Sequence, residues 1–430
     1  MFVAPPNTSN IKTTSYKVVL PFYVYAAISF IAAAVLLFLS SSDFLNHYFH
    51  PHILAITHIM ALGWGTMIVL GASHQLVPVL IEGRLFSNTL AYLSFAFAAT
   101  GIPLLVYGFY FFNMGIPAQT GGIFTVLAFL VYLTNMGVSI LRSKSESVHA
   151  IFIFTAMIWL LLTALLGLTL LYNFTHSIMD QDSLHYLPLH AHIGVVGWFL
   201  LLVIGVASRL IPMFLISKYT NARLLWWIYV LINSALVLYI IIFRASLTDK
   251  VVLIPGGLLF TAICLFIYYC YQSYKQRIRK MVDDQMKLSL LSVFMLLLPV
   301  VMFFILVIAL IITAGGTARL ALLYGFIIFF GWITAIILGM TFKTLPFIVW
   351  NKVYHNRSAS RQTPNPKDLF NHFVFKIMSI TYLVGFGLFS FGILASDIVS
   401  LNTGSVLLIF AAILYNGNVL KIISHKESTS

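Results

Sequence analysis

The chain has 430 residues, of which 61% are hydrophobic and only 8% charged, with a mean hydropathy of +1.00. No water-soluble domain hides that much apolar surface, so the composition excludes a soluble enzyme and predicts a polytopic membrane protein. The formal net charge of +13 would suit a polyanionic partner, but the Lys and Arg residues fall in short loops on one side of the predicted membrane, which argues against a nucleic-acid surface.

In chain order, the opening MFVAPPNTSNIKTTSYK is polar and has no hydrophobic signal core, so no cleaved targeting peptide is expected. Twelve apolar segments follow, at 17–40, 52–80, 88–112, 119–142, 149–174, 186–216, 223–243, 251–274, 286–314, 318–350, 371–396 and 403–421. Each can cross about 30 Å of hydrocarbon as a helix. Backbone groups in lipid must be paired internally, and no alternating ten-residue strand pattern occurs. The expected fold class is therefore an all-α integral membrane protein with twelve transmembrane helices, in contact with the lipid bilayer. The polar joint at 350–370, centred on HNRSASRQTPNPKD, reads as a loop, so residues 1–430 form one transmembrane domain. Cys264 and Cys270 lie six apart in one apolar segment and cannot meet on one helix, so no disulfide is expected between them.

Orientation follows from the basic residues. Loops after even-numbered segments hold Arg84, Arg142, Lys144, Lys218, Arg223, Lys275, Arg277, Arg279, Lys280, Lys352, Arg357, Arg361 and Lys367, and the termini add Lys12, Lys17, Lys421 and Lys426. The opposite side has only Arg244, Lys250 and Arg319. This asymmetry predicts cytoplasmic termini. Histidines 47, 50, 52, 176 and 185 then face outward.

One pattern recurs. His58-IMALGWGTMIVLGASHQLV-Pro78 matches His192-IGVVGWFLLLVIGVASRLI-Pro212, and Phe326-IIFFGWITAIILGMTFKTL-Pro346 repeats it without the histidine. The prolines are evenly spaced, 134 residues apart. The recurrence predicts three four-helix repeats, at about 17–142, 149–274 and 286–421. Histidine is costly within a membrane and usually marks a functional position. His190 and His192 are two apart on one helix, so their side chains point about 200° from each other and can serve two neighbouring grooves. Imidazoles from two helices gripping one iron from opposite sides make a six-coordinate haem site; His58 and His192, which occupy the same repeat position, are the expected pair, with His190 serving a different centre. The small residues near them either leave room for a flat macrocycle or serve close helix packing. His47, His50, His52, His176 and His185 read either as a second metal site, for copper above all, or as solvated loop histidines. Arg319 reads either as a partner for a haem propionate or as an ordinary interface arginine.

HAHIGVVGWFLLLVIGVASRLIP resembles the tenth helix of subunit I of the haem–copper oxidase superfamily, in particular the branch of C-type cytochrome oxidases and nitric oxide reductases, and GASHQLVPVL resembles the end of a nitric oxide reductase second helix. The chain is similar as well to haem-containing membrane proteins of the nitric-oxide response. The resemblance implies twelve helices in three pseudo-symmetric arcs, a b-type haem between His58 and His192 and a role for His190 at a second centre. It implies electron transfer or gas binding in respiration or nitric-oxide metabolism at a bacterial inner membrane, together with an electron donor or accessory subunit. The chain departs from that family where its chemistry is most demanding. HxH lies on segment 6, segment 10 has Tyr324 and Phe326 at the matching positions, and segment 7 has no histidine for copper. All eleven acidic residues lie in loops or at helix ends, which offers no carboxylate relay in the core. Two alternatives therefore stand beside the haem reading: a haem-free metal-handling or transport protein on the same scaffold, and an active nitric oxide or oxygen reductase.

Overall fold

A computed structural model describes residues 14–143, 147–247, 249–312, 317–354 and 363–426. Lys12, Lys144, Arg357 and Arg361, which contributed to the charge asymmetry, lie outside these residues. Twelve helices are long and apolar enough to cross a membrane: α1 (Tyr16–Leu39), α2 (Pro51–Leu80), α3 (Asn88–Tyr110), α4 (Ile116–Leu141), α5 (Val148–His176), α6 (Ser183–Leu215), α7 (Ala222–Arg244), α8 (Lys250–Lys275), α9 (Asp284–Ile312), α10 (Ala318–Tyr354), α11 (His372–Ala395) and α12 (Ile398–Ile423). A short 3-10 turn, Ser41–Leu45, links α1 to α2. No β-strand forms among the described residues, and both cysteines are free.

The polar residues at the boundaries explain where helices begin. Ser87, Asp182, Asn221, Asp283, Asn371 and Asp397 each accept a hydrogen bond from first-turn amides of α3, α6, α7, α9, α11 and α12. Three of these caps are acidic, which accounts for part of the restriction of carboxylates to helix ends. Asp283 also receives Lys343 of α10, and Arg279 lies 3.3 Å from it, so the cap doubles as a charged joint between α9 and α10.

Burial separates an inner set from an outer one. The most apolar stretches of α2, α6 and α10 are 67%, 72% and 72% buried, whereas those of the other described spans range from 28% to 50%. The inner three are the helices that carry the recurring sequence. Each widens into a π-helical stretch: Ile59–Thr66, Ile193–Leu200 and Ile327–Ile333. The three stretches start 134 residues apart, directly after His58, His192 and Phe326.

Within those stretches the tryptophans bind one inner helix to the next. Trp198 Nε1 donates to Thr66 Oγ1 (3.0 Å), and Trp64 Nε1 donates to Thr334 Oγ1 (3.1 Å). Thr334 in turn donates to the Phe329 carbonyl. Leu200 occupies the corresponding position of α6 and offers no hydroxyl to Trp332. The neighbouring glycines serve packing: a Cβ on Gly63 would stand 2.7 Å from Ser29 Oγ, and one on Gly197 would stand 2.7 Å from Trp159 Cβ. The glycine of the Gly-Trp pair therefore lets an outer helix approach.

Removing the hydroxyl of Thr66 should leave the Trp198 N–H buried without an acceptor, at a cost of about 1–3 kcal/mol. Thr66→Val should lower the melting temperature of the detergent-purified protein, and Thr66→Ser should not. Equal melting of the two variants would refute the bond's contribution.

Candidate functional site

The histidine-bearing ends of α2 and α6 and the matching end of α10 line a cavity of about 290 Å³, whose walls include His58, Phe109, Gly167, His190, His192 and Tyr324. The three histidines are half-buried. Two of the rings are oriented by the backbone one helical turn earlier. His58 Nδ1 lies 2.7 Å from the Leu54 carbonyl, and His192 Nδ1 lies 2.7 Å from the Pro188 carbonyl. A carbonyl only accepts, so both nitrogens carry the proton. The Nε2 of His58 is then left as a bare lone pair, the arrangement that prepares an imidazole to bind a metal, whereas the Nε2 of His192 faces the Tyr324 hydroxyl. Phe109 of α3 stacks on the His58 ring at 4.2 Å and fixes its plane.

His190 is the ring partner of His58. Their centres are 6.4 Å apart and their planes differ by 21°. His190 Nδ1 is buried with no hydrogen-bond partner. The ring fits against α5 because residue 167 is glycine: a Cβ there would stand 2.8 Å from His190 Cε1. His192 faces the other way. Its Nε2 lies 3.3 Å from the Tyr324 hydroxyl of α10, and its ring packs beside Tyr239 of α7 and Phe303 of α9.

The expected His58–His192 pairing is therefore replaced by His58–His190. The cause is the angular step already present in HxH. On α6, which touches both α2 and α10, position 190 meets α2 and position 192 meets α10. Repeat position pairs residue 58 with residue 192, whereas the ring beside His58 is that of residue 190. Tyr324, the residue of α10 that aligns with His190, is the neighbour of His192.

Two iron–nitrogen bonds of about 2 Å place ligating nitrogens about 4 Å apart, and the ring centres lie about 1 Å farther back on each side. Axial imidazoles on one iron thus need about 6 Å between ring centres. The separation of 6.4 Å between the ring centres meets that need. The bare Nε2 of His58 and the His190 ring, whose buried Nδ1 has no hydrogen-bond partner, are donors of the right kind.

The other candidates separate cleanly. Arg319 Nη1 reaches toward the Leu394 carbonyl at the end of α11 (3.4 Å) and is not among the residues of the cavity wall. His185 packs on Tyr186 and Phe243 and is remote from His50 and His52 in its contacts. His47 and His176 make local contacts, with the Phe49 amide and the Thr175 hydroxyl respectively. His50 and His52 converge on Asp43 of the 3-10 turn. Asp43 had a visible signal in the sequence, since it is the first acidic residue of the chain and the only one before Glu82. Gly167 and Phe109 had none.

No protein-family model and no curated sequence matches the chain.

Filling the notch at residue 167 should disturb the site through His190 alone. Gly167→Val should destabilise by about 1–3 kcal/mol, as overpacking does, and the additional change His190→Ala should restore much of the loss. Strict additivity of the two melting-temperature changes would show that residue 167 does not press on His190.

Proposed function

We propose that the protein is an integral membrane haem protein in which His58 and His190 hold the iron from opposite sides. The observation that carries this reading is the imidazole pair itself: two rings from two helices, 6.4 Å between centres and nearly parallel, in a cavity walled mostly by apolar side chains. The resemblance of the HAH-bearing segment to haem–copper oxidase subunit I supports the same cofactor. The chain contains no Cys-x-x-Cys-His sequence for covalent attachment, so a non-covalent b-type haem is the fitting form. A haem with both axial positions filled supplies one-electron transfer. This chain's residues would orient the two imidazoles, through Leu54, Phe109 and Gly167, and exclude water with apolar walls. The role proposed is electron transfer, respiratory or linked to nitric oxide.

An oxygen or nitric oxide reductase requires an open coordination position with further metal ligands around it. The surroundings of His192 are Tyr239, Phe303 and Tyr324, which offer aromatic carbon and hydroxyls in place of imidazoles. These neighbours favour the electron-transfer reading over the catalytic one.

The purified protein should show the absorption of a low-spin bis-histidine b-type haem. His58→Ala and His190→Ala should each abolish the low-spin signal, whereas His192→Ala should retain it. A colourless protein, or a signal lost with His192 and kept without His190, would remove the proposal.

The resemblance points to a bacterial inner membrane, and the basic-loop asymmetry supports cytoplasmic termini with the haem site near the outer face. With Cys264 and Cys270 replaced by Ser, a single cysteine introduced as Asn46→Cys should react with an impermeant thiol reagent on intact cells. Reaction only after permeabilisation would reverse the orientation.

A further inference from the structure

We propose that Asp43, His50 and His52 form a mononuclear site for a divalent transition-metal ion, Zn²⁺ or Cu²⁺, separate from the haem ligands. One ligand atom from each lies within 4.8 Å of the others. His52 Nδ1 is 2.7 Å from Asp43 Oδ2, and His50 Nδ1 is 3.7 Å from the same oxygen. Donors about 2 Å from a tetrahedral ion stand about 3.3 Å from one another, and the two observed distances bracket that value.

His50 Nδ1 is buried and has no hydrogen-bond partner. Asp43 Oδ2 holds His52 Nδ1 at hydrogen-bond distance but His50 Nδ1 only at 3.7 Å, whereas an ion between the three would engage both imidazoles and the carboxylate at once. Two imidazoles and one carboxylate suit zinc and copper, and leave a fourth position for water or an incoming ligand.

The ligands are held from several directions. Asp43 belongs to the 3-10 turn after α1, His50 caps the start of α2, and His52 lies in its first turn. Tyr110 at the end of α3 stacks on the His52 ring at 4.2 Å. The two imidazoles meet edge to face, with centres 5.0 Å apart. Phe44 and Tyr48, between the ligands in sequence, line the large cavity. A bound ion would thus fasten the segment that roofs the cavity to the first turn of the helix bearing His58.

The test is titration of the detergent-purified, chelator-stripped protein with CuSO₄ or ZnSO₄ alone. We expect one equivalent of Cu²⁺ with an electron paramagnetic resonance spectrum showing two nitrogen ligands, and a rise in melting temperature with Zn²⁺. Asp43→Asn, His50→Ala and His52→Ala should each weaken binding by about tenfold or more, because even groups that merely orient a metal ligand are worth about 10–100-fold in affinity. His47→Ala should bind as the parent does, and the three ligand variants should keep the haem spectrum if the parent shows one. Retention of one tight equivalent in the His50→Ala/His52→Ala double variant, failure of the parent to bind either ion, or loss of binding in His47→Ala would each overturn the assignment. Because the variants are compared on metal stoichiometry as well as melting, a misfolded variant is recognised by its melt and replaced by the milder His52→Gln, which should also lose the ion.

Discussion

The constraint that governs this protein is the intolerance of a lipid-immersed core for unpaired polar groups. The inner helices nevertheless contain indoles, hydroxyls and imidazoles, and the ones that join or line the site are placed by specific acceptors. Trp64 and Trp198 reach threonines on the next inner helix, which joins α2 to α10 and α6 to α2 at the same depth where the helices widen. The imidazoles of His58 and His192 turn back on carbonyls of their own helices. That single bond settles which nitrogen remains exposed to the cavity. The scaffold satisfies one nitrogen of each of these histidines, leaves the other free on His58, and turns it to the Tyr324 hydroxyl on His192.

The helix count, the all-α class and the kinship of the three inner helices were legible in the sequence, because hydrophobic length and a recurring Gly-Trp-to-Pro pattern are properties of a linear string. The boundaries were also close, since Ser, Asn and Asp caps mark them. The histidine-bearing face of each helix was legible from the 134-residue recurrence. Which residue of HxH would meet His58 was not. Equivalence under a repeat identifies similar positions on similar helices, but neighbours around a closed bundle meet through non-equivalent positions: residue 58 of α2 faces residue 190 of α6, and residue 192 of α6 faces residue 324 of α10. A pairing rule of like with like is correct only across a two-fold axis. Likewise, Gly167 could not be distinguished from other small residues of α5 until its neighbour was known.

The two metal-binding candidates differ in kind. His58 and His190 come from separate helices and depend on the whole bundle for their spacing. Asp43, His50 and His52 come from one short stretch of continuous chain and depend chiefly on one turn and one helix start. Local constellations survive rearrangement of the bundle better than those assembled from distant helices. His47, His176 and His185 take no part in the local group, and make instead local hydrogen bonds with Phe49 and Thr175 and ring contacts with Tyr186 and Phe243.

The π-helical stretches have a mechanical consequence. Each residue inserted into an α-helix to make such a stretch rotates everything on one side of it by about 100° relative to the other. The histidines lie just before the stretches, and the prolines lie beyond them. The two halves of an inner helix are thus phased independently, like two gears on one shaft joined by an offset coupling. Loss of one residue from Ile59–Thr66 would alter no ligand and break no cap, yet would swing His58 through roughly a quarter turn relative to the lower half of α2. The direction in which a ligand points is therefore encoded partly in chain length, a variable that a comparison of residue types does not register.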